Sequence, residues 1–580
     1  MRIGLLTDGG YPYATGESRL WCDRLVRGLT GHEFDIYALS RTAQQEDGGW
    51  IQLPPQVRRV RTAPLWAPGD DGRSYGRRDR RRFAAHFMEL VRAVTGADEA
   101  VPAPTGSGGH TGGAPRAGEA GPTGAAASAG FAEGLYGLAG LARERGGLYA
   151  ALRSEVAVRT VEAACRAPGA RRGVRDATVP DYLTFVDRLE RALRPLSPDW
   201  YGPEGLGAVD LCHAASGGAA ALPGLLAKRF FGVPLLVTEY GVQLRAHYLA
   251  TDAPRAAPVR ALLAAFQGRL AAEVYRQAAV ITPGNTHARR WQERCGADRA
   301  RLRTVYPGME AERFAAVGEG EDGGEPHTLV WVGRVEPAKD LFALLHAFAA
   351  VREEEPAARL RIVCAPVHEP EAAAYLTHCK ALSAQLFPDE AADAHAVGDN
   401  PVSFEQIGGP EAPDLAEAYA SAGVVVLSSV VEGFPISLVE AMFCARATVS
   451  TDVGAVVEVI GGTGLVVPPR NPRALADACL ALMRDPARRQ RLGAAARARA
   501  LELFTVEQNL TAFHGIYLEL ISHAPVRRDA EGVDADGGPR PFAYPAEARV
   551  PGHWTGRAPT PGWAHRTAGA FSGAGGGGDA

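Results

Sequence analysis

The chain contains 580 residues, of which 46% are hydrophobic and 22% charged, a balance that is typical of folded globular proteins and excludes wholly disordered or collagen-like chains. Basic and acidic residues nearly cancel, with a formal net charge of −4, so the overall charge predicts no nucleic-acid partner. Two stretches, 97–130 and 524–580, lack the apolar content needed to fold, and we expect a disordered insertion and a disordered tail there. The remainder suits two large domains.

The first domain is predicted to span residues 1–315 and to alternate strands with helices. Short apolar runs predict strands at 3–7, 34–39, 209–213, 234–238, 279–282 and 303–306. Helical periodicity follows the first of these strands and recurs at 218–231, 259–276 and 285–295. Alternation of this kind predicts a parallel sheet that is covered by helices on both faces.

The second domain is predicted to span residues 325–504 and to repeat the same architecture. Its predicted strands lie at 328–332, 359–364, 400–404, 424–427, 448–450 and 464–467, and its helices include 341–353, 371–386, 414–422 and 436–444. The fold class is therefore α/β, with two Rossmann-like domains whose parallel sheets face each other across a cleft. Because open α/β folds bind ligands beyond the carboxyl ends of their strands, we expect the active site in that cleft.

The cysteines and the amino-terminal residues bear on the cellular compartment. Eight cysteines are scattered through apolar stretches without a C-x-x-C pair, which predicts reduced core residues rather than disulfides or a metal site. The first apolar run is too short for a signal peptide, and no run approaches the length of a membrane-spanning helix. We therefore expect a cytoplasmic protein.

A basic cluster at 77–82 is interpreted as a solvated helix start, with contact to a polyanion or a membrane as the alternative.

The most informative motif lies between the strand at 424–427 and the helix that begins near Ile436. A helix start offers free N–H groups to a phosphate, and carboxylates on either side of it can accept hydrogen bonds from sugar hydroxyls. The alternative is an ordinary helix whose early acid complements the dipole. The residues are Glu432, Gly433, Phe434, Pro435, Ile436 and, one turn into the helix, Glu440.

A second motif follows the first strand of the same domain. Gly333 and Arg334 come directly after the strand at 328–332, and Lys339 lies five residues beyond Arg334 at the next helix start. A guanidinium and an ammonium group together can neutralise a diphosphate leaving group, although two exposed bases in a loop would give the same pattern. Both motifs fall on strand-to-helix loops that face one cleft, so together they favour a phosphate-bearing ligand.

Two other patterns do not support a cofactor or a metal. The glycines at 318, 320 and 323 fit a dinucleotide fingerprint, but they precede a strand and lie among acids that would repel a pyrophosphate. The pair Asp534 and Asp536 is the single Asp-x-Asp of the chain and lies in the predicted tail. We therefore expect no cofactor and no metal.

These motifs, with Asp452-Val453-Gly454, Glu458 and the segment 464–468, resemble the family 4 retaining glycosyltransferases of GT-B fold. The resemblance covers nearly all of 326–523. The loop that contains Tyr13, Gly16 and Glu17, and the segment Thr238-Glu239-Tyr240-Gly241, are similar to the PelF-like branch. The resemblance implies a nucleotide-sugar donor, UDP-glucose or a relative, held by the second domain, and a crossover helix at 505–523.

Residue roles follow from the resemblance position by position. Arg334 and Lys339 would hold the donor diphosphate, Glu432 would face the transferred sugar, and Glu440 would bind the ribose hydroxyls. The strand at 400–404 and the loop after it would border the base. Tyr240 stands where the family has a histidine beside the donor sugar and the acceptor.

The predicted function is transfer of a hexose, with glucose favoured, from a UDP-sugar to a hydroxyl of a saccharide or other acceptor, with retention and without a metal. Glu17 replaces a glycine of the family pattern and would repel phosphate, and Tyr240 replaces the histidine. These two departures motivate an alternative, a catalytically weakened nucleotide-sugar-binding partner of a polysaccharide synthesis or export complex. Peripheral association with such a membrane complex stays open in either case.

Overall fold

A computed structural model of the protein describes residues 1–15, 18–67, 69–96, 122–249, 256–320, 324–367, 369–388 and 400–523. The described residues form two α/β halves, each built on a six-stranded parallel sheet. The first half begins at the amino terminus, and the second begins near residue 315. The two sheets confirm the predicted fold class.

The first sheet has the strand order β3-β2-β1-β4-β5-β6. Its strands are β1 (Arg2–Asp8), β2 (Glu33–Ser40), β3 (Val57–Pro64), β4 (Leu211–Ala214), β5 (Leu235–Glu239) and β6 (Val280–Pro283). The predicted strand at 303–306 is wrong, because that segment lies beside β6 with only two backbone hydrogen bonds, from Arg303 N to Ile281 O (2.9 Å) and from Val305 N to Pro283 O (2.9 Å). Strand β3 was not predicted, since charged and apolar residues are mixed along it.

Helices surround this sheet and fill the long connection between β3 and β4. They are α1 (Arg19–Gly28), α2 (Ala43–Asp47), α3 (Arg77–Thr95), α4 (Pro122–Arg145), α5 (Leu148–Leu152), α6 (Glu155–Arg166), α7 (Arg172–Arg175), α8 (Val179–Leu193), α9 (Ala221–Phe231), α10 (Gln243–Leu249), α11 (Ala257–Gln277) and α12 (Thr286–Arg294). Helices α3 to α8 form a layer whose apolar side chains share one core with α9 and α11. This layer is the part of the first half that departs most from a plain Rossmann fold.

Helix α4 corrects the expectation that the whole of 97–130 is a disordered insertion. It begins at Pro122, so the part of the predicted disordered insertion from 122 to 130 is helical, while 97–121 lies outside the described residues, as does the predicted tail at 524–580. The reason is that alanine favours a helix and that the same helix continues into the buried side chains of Phe131 and Leu135. At Gly134 a Cβ would lie 2.6 Å from the backbone N of Leu90; the glycine therefore serves close packing on α3 rather than flexibility.

The second sheet has the order β12-β11-β10-β7-β8-β9, which repeats the order of the first sheet strand for strand. Its strands are β7 (Glu325–Gly333), β8 (Arg359–Cys364), β9 (Val402–Gln406), β10 (Ala422–Leu427), β11 (Ala447–Thr451) and β12 (Leu465–Val467). Helices of this half are α13 (Ala315–Glu319), α14 (Leu341–Glu354), α15 (Pro370–Leu386), α16 (Leu415–Ala420), α17 (Ile436–Phe443), α18 (Val456–Ile460), α19 (Pro472–Met483) and α20 (Pro486–Leu503). In both sheets the connection reverses direction between the first and fourth strands, which is where open α/β sheets bind ligands.

The last described helix, α21 (Val506–His523), returns to the first half. Phe513 and Tyr517 lie in one apolar cluster with Ile3 and Leu5 of β1. The Tyr517 hydroxyl group lies 2.7 Å from His213 Nδ1, and His213 Nε2 lies 2.6 Å from Thr238 Oγ1. The crossover helix of the predicted fold is therefore present and is fixed by apolar packing and by a buried polar network.

All eight cysteines are buried as free thiols, as the sequence predicts. Within the described ranges, every helix falls short of the length or the apolar character needed to cross a bilayer.

Candidate functional site

The loops that follow β7, β10 and β11 meet at the carboxyl edge of the second sheet. The hydroxyl group of Ser428 donates to the backbone O of Lys339 (2.7 Å), and Val430 N donates to Ala338 O (2.8 Å). The hydroxyl group of Thr451 donates to Ser429 O (2.6 Å). The two predicted motifs are thus held together by hydrogen bonds that backbone oxygens accept.

A half-buried ion pair lies at the centre of these loops. Lys339 Nζ is 2.6 Å from Glu432 Oε2, and their side chains are only 15% and 12% exposed. The Ser429 hydroxyl group donates to the same carboxylate oxygen (3.0 Å). Removing one partner of such a pair leaves the other charge largely desolvated, which costs far more than the intact pair contributes. The pair brings together one residue from each of the two sequence motifs.

The backbone of Glu432 requires a glycine in the facing loop. Gly454 has a φ of +57°, and a Cβ there would lie 2.4 Å from Glu432 O, a distance that no side chain tolerates. Ala455 N donates to Gly433 O (3.1 Å) and closes the contact. A Cβ at Gly433, by contrast, would meet nothing within 4 Å, so this position opens towards the cleft.

Arg334 lies at the end of β7 on the same edge, with its side chain 77% exposed. Its guanidinium group is 3.9 Å from Glu336 Oε1, and Lys339 Nζ is also 3.9 Å from that oxygen. Sequence reasoning missed Glu336, whose carboxylate lies between the two cations. Gly333 ends the strand, and a Cβ there would lie 3.0 Å from the ring of Trp331.

Glu440 is buried in the second turn of α17 and accepts a hydrogen bond from the Tyr419 hydroxyl group at Oε2 (2.9 Å). Burial raises the pKa of this carboxyl group, although Tyr419 and two arginines oppose the rise. Among the described residues, Oε1 makes no hydrogen bond and is not sealed from solvent. Glu440 therefore offers one carboxylate oxygen to a ligand hydroxyl group.

The start of α17 is packed on one side and open on the other. The ring of Phe434 lies against Tyr306 and Phe504, with centroid distances of 6.4 and 5.7 Å. Pro435 precedes the first helical residue, Ile436, whose side chain is exposed. The packed aromatic residue fixes the direction of the helix, so its amino-terminal end stays beside Glu432.

The first half reaches this site through α10 and α12. Arg245 Nη2 donates to Glu432 O (3.1 Å), and burial lowers the pKa of Arg245 although Glu432 opposes the change. The backbone N of Thr286 donates to Glu458 Oε2 (2.7 Å), and the Tyr306 hydroxyl group donates to Glu458 Oε1 (2.9 Å). Sequence reasoning missed Arg245; the one available signal was its position on the helix directly after Tyr240.

Tyr240 lies on the first half's side of the cleft, and burial raises its pKa. Its ring stands edge-on to Trp21 at 5.4 Å, and its hydroxyl group accepts a hydrogen bond from Asn509 Nδ2 of α21 (3.3 Å). Within the described ranges no hydrogen bond joins Tyr240 to Glu432 or Lys339. The structure therefore ties Tyr240 to the crossover helix rather than to the ion pair.

The amino-terminal loop is only partly described. The Tyr13 side chain is 1% exposed and lies in the apolar core beside Ile3 and Leu5, so it does not line the cleft. Gly16 and Glu17 lie outside the described residues.

Comparison with protein families gives two matches. A family model described as Glycosyl transferases group 1 matches residues 326–485, which include all the site residues of the second half. A model described as Domain of unknown function (DUF3492) matches residues 1–105 and 135–300.

Curated relatives match part of the chain. The D-inositol 3-phosphate glycosyltransferase of Kribbella flavida is 31% identical over 288 residues, which cover 47% of this chain and 63% of that protein. The protein of the same name from Frankia alni is 34% identical over 207 residues, which cover 34% of this chain and 46% of that protein. The chain thus spans less than two thirds of the length of these relatives.

Solved structures match most of this chain. Sucrose-phosphate synthase from Thermosynechococcus elongatus has a TM-score of 0.51 and 17% identity, covering 90% of this chain and 99% of that one. Anabaena HepE in complex with UDP has a TM-score of 0.52 and 14% identity, covering 90% and 100%. At such identities the likeness shows the fold alone, and it confirms the GT-B arrangement of two Rossmann-like halves.

Proposed function

We propose that the protein is a retaining glycosyltransferase that moves a hexose, with glucose from UDP-glucose as the first candidate, to a hydroxyl group of a saccharide or other acceptor. The observation that carries the proposal is the Lys339–Glu432 pair, 2.6 Å across, at the carboxyl edge of a sheet whose sequence matches the group 1 glycosyltransferases. A cation for a phosphate and a carboxylate for a sugar hydroxyl group lie side by side at the position where such folds bind ligands.

The donor is proposed to lie along the loops after β7 and β10. Arg334 and Lys339 bind the diphosphate, which displaces Glu336 from between them. The amino-terminal end of α17 adds its N–H groups to one phosphate. Glu432 accepts a hydrogen bond from the transferred hexose, and the free Oε1 of Glu440 accepts one from the ribose.

The proposed reaction needs no metal and no cofactor. The acceptor oxygen forms a bond to the anomeric carbon while the bond between that carbon and the phosphate oxygen breaks. The nucleoside diphosphate leaves with the bonding electron pair, and the acceptor proton passes to the departing phosphate oxygen on the same face. Cationic groups preorganised around the diphosphate stabilise the charge that develops there, and this is commonly the largest contribution to catalysis.

We propose that the side of the cleft that binds the acceptor, in the first half, is of the PelF-like type. The support is the sequence of the loop with Tyr13 and of the segment 238–241. A cytoplasmic location and a peripheral association with a membrane polysaccharide complex belong to the same proposal.

One experiment tests donor and activity together. The full chain is incubated with a panel of nucleotide-sugars without acceptor, and the released nucleotide is measured. We expect slow release of UDP from UDP-glucose and loss of that release in the Lys339→Ala variant. If no nucleotide-sugar is hydrolysed or bound, the proposal is wrong.

A second candidate, a weakened nucleotide-sugar-binding partner, is favoured by one observation: the Tyr240 hydroxyl group is bonded to Asn509. In an active enzyme, Tyr240→His should retain more turnover than Tyr240→Ala, because imidazole keeps a polar ring in the pocket. In a weakened partner, the wild type should turn over no donor. A gain of turnover in Tyr240→His alone would then favour the second candidate.

A further inference from the structure

Glu239, the last residue of β5, carries a carboxylate in the interior of the first half. The residue is 1% exposed, and among the described residues no cation pairs with it. Burial raises the pKa of this carboxyl group, although the hydrogen bonds that it accepts oppose the rise. A buried carboxylate without a cation destabilises a fold unless hydrogen bonds satisfy it. The elements that supply those hydrogen bonds therefore indicate what the carboxylate is retained for.

The carboxylate of Glu239 joins the two helices that follow β5 and β6. Its Oε1 accepts a hydrogen bond from the backbone N of Gln243, the first residue of α10 (3.3 Å). Its Oε2 accepts hydrogen bonds from Gln292 Nε2 of α12 (3.2 Å) and from the hydroxyl group of Tyr275 of α11. Gln292 is fully buried. Glu239 thus connects α10 with α12 through a link in the interior of the protein.

Each of these two helices contacts the second half. Two residues beyond Gln243, Arg245 Nη2 donates to Glu432 O (3.1 Å). At the start of α12, the backbone N of Thr286 donates to Glu458 Oε2 (2.7 Å). Both contacts therefore come from helices that share the Glu239 carboxylate, and one of them reaches a residue that is proposed to bind the transferred sugar.

Helix α10 depends on such an external contact for its direction. It has only seven residues, and the internal hydrogen bonds of so short a helix contribute little stability by themselves. An acceptor fixed at its first residue therefore determines where Arg245, one turn further on, is placed.

We propose that Glu239 is a positioning residue for sugar transfer, whose carboxylate fixes α10 against α12 so that Arg245 binds the backbone of Glu432. The inference rests on the proposed function and adds a residue to it. Because Glu239 is 1% exposed, it touches no substrate and acts through Arg245.

The test measures steady-state hydrolysis of UDP-glucose by variants of the full chain. Glu239→Met keeps roughly the volume of the side chain and removes both acceptor oxygens, and we expect kcat to fall about tenfold, as the loss of one or two hydrogen bonds implies. Glu239→Gln keeps one oxygen for Gln243 N, and its amide group can donate to Gln292 Oε1, which has no partner among the described residues. This conservative variant should retain at least half of the wild-type kcat.

Glu273→Met is the matched control. Glu273 is 3% exposed and also accepts hydrogen bonds from a tyrosine hydroxyl group, that of Tyr136 (2.7 Å), and from a glutamine amide, that of Gln277 (3.1 Å). These partners lie on α4 and α11 rather than on α10 or α12. The control should lower the Tm about as much as Glu239→Met does and change kcat by less than about twofold.

A double-mutant cycle tests whether Glu239 acts through Arg245. In an Arg245→Ala background, Glu239→Met should lower kcat by less than about threefold, because the contact that Glu239 positions is already absent. If Glu239→Met does not fold, Gln292→Met, which breaks only the link to α12, takes its place in the cycle.

Three results would overturn the inference: a fall in kcat for Glu239→Met no larger than that for Glu273→Met, an equal fall for Glu239→Gln and Glu239→Met, or effects of Glu239→Met and Arg245→Ala that simply multiply. In each of these cases the wild type still hydrolyses UDP-glucose, and the proposed function stands. A wild-type chain that releases no UDP would instead show that the proposed function is wrong, and the role of Glu239 in transfer fails with it.

Discussion

The two halves of the molecule share one strand order, but different kinds of element line the cleft on each side. In the second half, the site is made from three loops that each follow a strand directly, and Lys339, Glu432 and Gly454 lie three to six residues beyond a strand end. In the first half, the wall is made from α10, α12 and the crossover helix, which are far apart in sequence. A site built from local loops can be located from motifs, whereas a wall built from distant helices cannot.

The largest expected effect is on kcat, and it compares two cationic residues of the second half, Arg334 and Lys339. Arg334→Ala should lower kcat by about 10²–10³, or ~3–4 kcal/mol, because the proposed contact of Arg334 with the leaving diphosphate strengthens as charge develops there. The Tm should not change, since the side chain is 77% exposed. Lys339→Ala should lower kcat similarly and also lower the Tm, because Glu432 stays half-buried without its cation. Steady-state kinetics and thermal unfolding measure both.

The Arg334→Ala/Lys339→Ala double variant should lose less activity than the sum of the two single losses, because both residues are proposed to bind one diphosphate. An Arg334→Ala protein that folds and keeps more than half its turnover would show that the diphosphate is bound elsewhere.

A second comparison, between two glycine variants, tests the close contact between the loops that contain Glu432 and Gly454. Gly454→Ala should destabilise the protein by about 2–3 kcal/mol, since a Cβ at a φ of +57° meets Glu432 O at 2.4 Å. Gly433→Ala, one residue from Glu432 and open to the cleft, should change the free energy of unfolding by less than about 1 kcal/mol. Urea unfolding of both variants measures the difference. Equal destabilisation would mean that the two loops do not depend on close approach.

The first half should respond to acid through His213. Burial lowers the pKa of this histidine to about 3, while an unfolded histidine titrates near ~6.5. Below that value the unfolded state binds a proton that the folded state does not, so stability falls as the pH falls, by about 2 kcal/mol at pH 5. The loss should loosen α21, because His213 lies 2.7 Å from the Tyr517 hydroxyl oxygen.

The measurement is urea unfolding at pH 7 and at pH 5 for the wild type and for His213→Gln. The variant should lose less stability than the wild type between the two pH values. Identical losses would show that another group causes the acid response.

The smallest expected effect is that of a chelator on donor turnover. Excess EDTA should leave the rate unchanged, because side-chain cations and the end of α17 are proposed to stabilise the diphosphate. Complete loss of turnover that Mn²⁺ or Mg²⁺ restores would contradict the proposed mechanism.

Sequence reasoning succeeded where pattern and spacing are local. The strand at 359–364 was predicted to the residue, and all six strands of the second sheet were predicted, because buried parallel strands appear as short apolar runs between glycines and polar loops. The two motifs were expected to face one cleft, and the structure joins them at Lys339 and Glu432. Arg334 is on the same edge, although the structure does not bring it into contact with the pair.

Sequence reasoning failed where the residues that contact each other are far apart along the chain. Strand β3 and helices α5 to α8 were not predicted, although the basic cluster at 77–82 was interpreted as a helix start and α3 does begin at Arg77. The first turns of α4, at 122–130, were taken for disorder because that stretch lacks large apolar residues. Tyr13 was named as a residue of the amino-terminal site loop, and the structure buries its side chain in the core. Composition cannot distinguish these cases, since the same small residues serve loops and tight helix contacts.

The sequence by itself determined the two α/β halves and the two loop motifs of the second half, because strand burial, helix periodicity and strand-to-helix loops are properties of neighbouring residues. The tertiary structure alone decided which residues of the first half face these two motifs. Arg245 and Thr286 come from elements more than 30 residues apart, and they reach Glu432 and Glu458 of the second half only in the folded protein. The physical reason is that the charge balance of a cleft depends on which residues, distant along the chain, fold next to each other there. No pattern of neighbouring residues determines that arrangement.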